Sequence, residues 1–285
     1  MNLTLADLTP ERIAAVRQRA PAVFAPDLRR QALQWGGWLG MLLLTAYCLV
    51  LFDFSPARFW NGLGELGAIL RHMFPPQSGG AFMEFAGAIG ETLAMAFLGT
   101  LFAAIMAVPL AFLASKNVFR FSPGRFFVRR GMDFLRGVDQ LIWALIFVRA
   151  VGLGPLAGIF AIMISDTGTL AKLFSESVEN ACRKPVEGVR ASGGSAVQTI
   201  RFGLLPQVLP MFLSSALYMF ESNVRSATIL GIVGAGGIGF QLSERIRGHR
   251  WEEACLILIM ILVTVALVDL VSKTLRQRLI GKGRH

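Results

Sequence analysis

The stretch GIVGAGGIG, residues 231 to 239, decides how the rest of the chain is read. Gly234, Gly236 and Gly239 spell G-x-G-x-x-G, the spacing of a dinucleotide-binding turn. Such a turn needs a strand before it and a soluble βαβ unit around it. What precedes it here is an apolar run near 204 to 222, long enough for a membrane helix. Two readings of the glycines survive that context. They form a flexible break where a helix leaves the bilayer, or a backbone that lines a pathway. Irregular backbone at membrane depth persists only when buried in protein or facing a water-filled cavity.

Composition supports the membrane context. Soluble domains carry about 25% charged residues, whereas this chain carries 16% and is 54% hydrophobic, with a mean hydropathy of +0.57. Its net charge of +10 fits basic cytoplasmic loops rather than a nucleic-acid surface. Cys48, Cys182 and Cys255 stand far apart and suggest neither a disulfide framework nor a zinc site. The first 33 residues lack the pattern of a cleaved signal peptide. The first apolar run is therefore expected to remain as an anchor.

Six spans are expected, at 34–52, 88–114, 136–151, 155–174, 204–222 and 253–272. The third is short and polar. On this count one side of the membrane holds only Arg58, Arg71, Arg149, Arg225, Arg245, Arg247 and Arg250 of the 28 lysines and arginines. The three-to-one bias puts both termini in the cytoplasm, and an odd number of spans would break it. The glycine stretch then follows span five at the outer face, where nucleotides are not normally available. The nucleotide reading is rejected.

Between spans four and five lies SESVENACRKPVEGVRASGGSAVQTIRFGLLPQVLP, too long for a tight connection. Pro185 suits a helix start with Glu187 in its first turn. Gly193 and Gly194 should end that helix. Ser195 and Gln198 form a capping box opening a second helix, and Pro206 stands at the start of span five. The loop reads as two short helices hinged at the glycine pair, resting on lipid headgroups or docking a cytosolic partner.

Glu187, Gly193 and Leu205-Pro206 resemble the coupling loop of ABC importer permeases, Glu-Ala-Ala, three residues, Gly, nine residues, Ile, any residue, Leu-Pro. Gly188, Val189 and Gly203 depart from it. FESNVRSATILGIVGAGGIG and RASGGSAVQTIRFGLLPQVLP resemble the phosphonate permease branch of that family, which includes importers of phosphite and hypophosphite. The resemblance covers roughly residues 86 to 275 and implies an all-α integral membrane protein with the type I importer permease fold. It divides the chain into a cytoplasmic segment (1–33), the first span with its outer loop (34–85), the permease domain (86–275, coupling loop 176–206) and a cytoplasmic tail (276–285).

It further implies a multi-pass protein of the bacterial inner membrane that pairs with a second copy of itself, two cytosolic ATPase subunits and an external substrate-binding protein. Glu187, Arg190, Gly193, Ser195, Leu205 and Pro206 would serve ATPase coupling. The chain has no G-x-x-x-x-G-K-[ST] sequence, so ATP and Mg belong to the partner ATPase and this chain is expected to bind no cofactor. No metal cluster or catalytic triad is legible around His72, His249 and His285. Residues 1–33, with TPERIAAVRQRA, suggest an amphipathic cytoplasmic helix.

Ionisable groups in spans are costly and often functional. Glu221, Asn223, Arg225, Gly234, Gly236, Gly237, Arg149 and Asp166 are the candidate translocation-pathway residues. Two roles stay open for the charges: helix pairing, such as Arg149 with Glu91 or Glu221, and handling of an oxyanion by Arg225, Asn223 and glycine N–H groups. The alternatives to a phosphorus-oxyanion importer are a methionine-type or other small-solute permease, a membrane-embedded lipid enzyme using Asp139 and Asp166, and a passive channel. A dock for an ATPase argues against the channel.

Overall fold

A computed structural model describes residues 28–119 and 121–281. The expected helix at TPERIAAVRQRA and the last four residues of the tail lie outside them. The described residues contain helices and no strand: α1 Leu28–Leu51, α2 Pro56–His72, α3 Phe82–Ala114, α4 Ser122–Gly137, α5 Gln140–Val151, α6 Pro155–Glu179, α7 Arg183–Ala191, α8 Leu205–Leu230, α9 Gly237–Arg247 and α10 Trp251–Gly281. Packing divides the chain into two compact units, one through Ala68 and one from Ile69. In the first unit, the described side chains of α1 are exposed except the half-buried Cys48, as expected of an apolar span facing lipid.

Among the described residues, five helical runs are long and apolar enough to cross a bilayer: Gln31–Leu51, Phe82–Ala114, Pro155–Glu179, Ala196–Ala235 and Trp251–Leu279. The third expected span differs. Its apolar helix, α5, has 12 residues and reaches about 18 Å, short of the hydrocarbon core of about 30 Å. It is preceded by α4, an amphipathic helix that carries Arg125, Arg129, Arg130 and Arg136. Both run antiparallel to α6. Arg129 pairs with Glu179, the Met132 carbonyl meets Gly168, Gln140 bonds Asp166 and Phe147 meets Phe160. The crossing is thus broken at Val138 and Asp139, both extended, and Asp139 caps α5 by accepting from the Leu141 N–H at 2.8 Å. The apolar run at 136–151 fuses the end of one helix with the next.

α6 is the central helix of the second unit. Small residues let its neighbours approach, which in lipid substitutes for a hydrophobic driving force. Ala103, Ala107 and Ala111 recur every fourth residue on α3 and are fully buried. A Cβ at Gly99 would stand 2.7 Å from Ile162, and one at Gly168 would stand 2.7 Å from the Met132 carbonyl. Phe174 and Phe212 stack at 4.1 Å and join α6 to α8.

Candidate functional site

The loop between α6 and α8 is built on a fixed base. Glu179, at the end of α6, accepts from Arg129 at 2.6 Å and from the Lys116 N–H at 2.7 Å. α7 begins at Arg183, two residues before Pro185, and its first turn holds no acid. The expected placement of Glu187 in that first turn is therefore incorrect. Glu187 and Arg190 are exposed, and neither carries an ion pair among the described residues.

The end of α7 follows the sequence. Gly193 takes φ +81°, a left-handed conformation natural to glycine, and the Gly194 N–H returns to the Val189 carbonyl at 3.0 Å. Ser195 and Gln198 close the reciprocal capping box. The second helix, however, is not separate. Ala196–Gln198 passes through a π-helical turn, Thr199–Leu204, directly into α8, with Leu205 and Pro206 at the first two positions of α8. Any displacement of α7 meets the root of α8. Gly203, one of the departures from the coupling-loop pattern, lies where α7 rests on backbone. A Cβ there would stand 3.0 Å from the Val186 Cα. Gln207 completes the brace by exchanging hydrogen bonds with the Cys182 backbone at 3.0 and 3.2 Å. A cavity of about 310 Å³ beside α7 is lined by Asn117, Arg183, Glu187, Arg190 and apolar side chains.

Deeper in the bundle, Asp166 and Asn223 belong to one buried network. Asn223 Nδ2 donates to Asp166 Oδ2 and, at 2.8 Å, to Thr100 Oγ1. Gln140 Nε2 donates to Asp166 Oδ1 at 2.9 Å and to Asn223 Oδ1 at 3.1 Å. Four helices (α3, α5, α6 and α8) thus meet at the break between α4 and α5. A cavity of about 350 Å³ opens beside this network.

Glu221 and Arg225 lie elsewhere. Glu221 accepts from Arg276 on α10, and Arg225 approaches Asp269 at 3.5 Å and Glu221 at 4.0 Å. The cluster joins α8 to α10. Arg149 is exposed at the end of α5, with no ion-pair partner among the described residues. Neither pairing expected for Arg149 forms.

Gly234, Gly236 and Gly237 all take positive φ, at +102°, +80° and +69°. They turn the chain from α8 into α9 against Leu153, Pro155 and Thr92. The turn lies at the level of Thr92, about 15 Å along α3 from its first residue, so it sits within the bundle rather than at its outer rim. The Gly237 N–H donates to Glu91 at 3.1 Å and the Ile238 N–H to Thr92 at 2.9 Å. These two donors are already taken by the protein.

The two ends of the bundle therefore differ in kind: a loop with exposed, unpaired charges at one, and a sealed glycine turn toward the other. Residues 107–282 match the family model described as "Binding-protein-dependent transport system inner membrane component". The chain belongs to that family. The permease is 37% identical over 239 residues to the phosphite transport system permease protein PtxC of Stutzerimonas stutzeri, covering 84% of this chain and 86% of the relative. It is 36% identical to the phosphate-import permease protein PhnE of Mycolicibacterium smegmatis, covering 81% of this chain and 43% of that longer protein. A chain of the MetNI methionine ABC transporter in an inward-facing conformation superposes with a TM-score of 0.62 at 20% identity, covering 71% of the permease and 99% of that chain. The last likeness shows the fold alone: that of an ABC importer permease.

Sequence reasoning missed Gln140 and Thr100, whose side chains complete the Asp166 network in the permease. It also missed Arg245, which is buried on α9 against Phe85 and paired with Glu253 at 2.8 Å and Glu84 at 3.5 Å. Gln140 was detectable in principle as a polar residue opening an apolar run. Arg245 carried no signal, because it sits in a polar segment where exposure is the default.

Proposed function

We propose that the permease carries a phosphorus oxyanion (phosphonate, phosphite or phosphate) inward across the bacterial inner membrane, powered by a separate ATPase. The observation that carries this reading is the 37% identity along most of the chain to a phosphite permease. It is supported by the exposed, unpaired Glu187 and Arg190 on α7. Two copies of the chain pair, and each seats α7 in a cleft of one of two cytosolic ATPase subunits. An external binding protein delivers the solute. ATP and Mg are held by the ATPase, because this chain lacks a phosphate-binding loop.

Movement of α7 on ATP binding passes through Gly203 and the Leu205-Pro206 start of α8 to the Asp166–Asn223–Gln140 junction. This is a two-state element biased at one end by nucleotide. Asp166 and Asn223 border the pathway. Glu221 and Arg225 hold α8 to α10, Gly234, Gly236 and Gly237 fix the turn that closes the outer part of the bundle, and Arg149 stands at the outer end of the broken crossing.

The test is ATP hydrolysis by the complete complex in lipid nanodiscs with its binding protein present. Phosphite, a phosphonate or phosphate is expected to stimulate hydrolysis and methionine is not. Stimulation by methionine alone would replace the substrate reading while leaving the ATPase-coupled mechanism intact.

A further inference from the structure

Hydroxyls on buried helices ordinarily return their proton to a carbonyl one turn back. Thr92, Thr100, Thr167 and Thr264 do so at 2.6 to 2.9 Å. Ser165 and Thr169, one turn apart on α6, do not, and neither do Ser222 and Ser226, one turn apart on α8. All four line the cavity of about 350 Å³ beside the Asp166 network, and none has a hydrogen-bond partner among the described residues. Ser165 is only 8% exposed, and the surface it keeps lies on that cavity.

The charges of the wall complete the pattern. Arg136, in the last turn of α4, contributes a cation, with its Nε 3.4 Å from Asp133. Both oxygens of Asp166 already accept amide donors from Asn223 and Gln140. Asp139 accepts the Leu141 N–H. The acids of the wall keep their charge while accepting these bonds, and the hydroxyls stand without protein partners.

We infer that this cavity is a transient station for a small tetrahedral oxyanion on its way through the permease. The hydroxyls of Ser165, Thr169, Ser222 and Ser226 donate to the anion's oxygens, and Arg136 supplies the countercharge. This rests on the reading of the chain as an importer of phosphorus oxyanions. The volume is at the low end for small-molecule sites, which suits an anion that keeps part of its water shell. The wall sets four hydroxyls and Arg136 against the carboxylates of Asp139 and Asp166, so such an anion is held weakly, as transit requires.

The experiment uses the assembled complex in proteoliposomes, with Cys48, Cys182 and Cys255 replaced and Ser226→Cys introduced. Phosphite is expected to slow modification of this cysteine by a small neutral thiosulfonate reagent. In parallel, Thr169→Val with Ser222→Ala is expected to cut phosphite uptake about tenfold at equal recovery of assembled complex. Thr264→Val, whose hydroxyl bonds its own helix, leaves uptake unchanged. Unchanged uptake in the double variant, or labelling that is indifferent to phosphite in a complex that imports it, overturns the inference. Should the unaltered complex import no phosphite, the substrate reading fails separately, and labelling then decides the station. Slowing of the labelling by phosphite retains an oxyanion site, and labelling indifferent to phosphite eliminates it.

Discussion

Gly239 has no room for a side chain. A Cβ there would collide with the Thr228 carbonyl, and Gly231 opposite meets the Gly236 carbonyl at 2.5 Å in the same sense. α8 and α9 therefore touch through backbone. The G-x-G-x-x-G spacing arises from this contact and from the positive φ values at 234, 236 and 237, not from a phosphate. Gly239→Ala is predicted to cost about 1–3 kcal/mol, read as a lowered midpoint of thermal unfolding in detergent. Gly36→Ala on α1, with nothing within 4 Å of its added methyl, leaves the midpoint unchanged or higher. The glycines were legible as a break in a membrane helix. Their closeness to Thr92, Leu153 and Pro155 was not, because those partners come from distant segments whose register only the fold supplies.

At the scale of the element, α7 and the turn after it were the most legible part of the chain. Gly193, the Ser195–Gln198 capping box and Pro206 each encode a local backbone state, and local states can be read from neighbouring residues. The start of α7 was misplaced because proline suits a helix's first turn at more than one position. The continuity of the second loop helix with α8 was missed because a π-turn has no sequence pattern of its own. Ser195→Ala removes the cap on this continuous helix. The predicted loss is about 1 kcal/mol, read as faster amide exchange across Ala196–Leu204, with exchange in α6 unaltered. The broken third crossing shows the complementary limit. A hydropathy window averages over Val138 and Asp139, whereas the side-chain cap at Asp139 ends one helix and begins another.

For the whole molecule, the topology expected from the balance of lysine and arginine is met by the helices only if the short apolar α5 counts as one crossing. The permease domain, with five of the six crossings, then begins at the outer face and ends on the cytoplasmic side, where α7 also lies. Cys182, which precedes α7, is exposed, while Cys255 is buried and Cys48 half-buried on a span. A membrane-impermeant maleimide is therefore predicted to label Cys182 of the permease alone in inside-out vesicles and not in right-side-out vesicles. Labelling from the opposite side would invert the topology and with it the direction of every step proposed above. Val186 on α7 rests against Gly203, and α8 continues from there to Asn223, so the proposed coupling has a path from the cytoplasmic face to the polar junction inside the bundle.

The most direct test of this account measures ATP hydrolysis and solute uptake together, in proteoliposomes holding the complete complex with Glu187→Ala or Gly193→Val. The variants are predicted to insert and to reach normal abundance in the membrane, with uptake falling by about tenfold or more per ATP hydrolysed, as loss of a charge-assisted contact together with a misdirected loop would produce. Uptake per ATP equal to that of the unaltered complex would contradict the assignment of α7 as the link between nucleotide and transport.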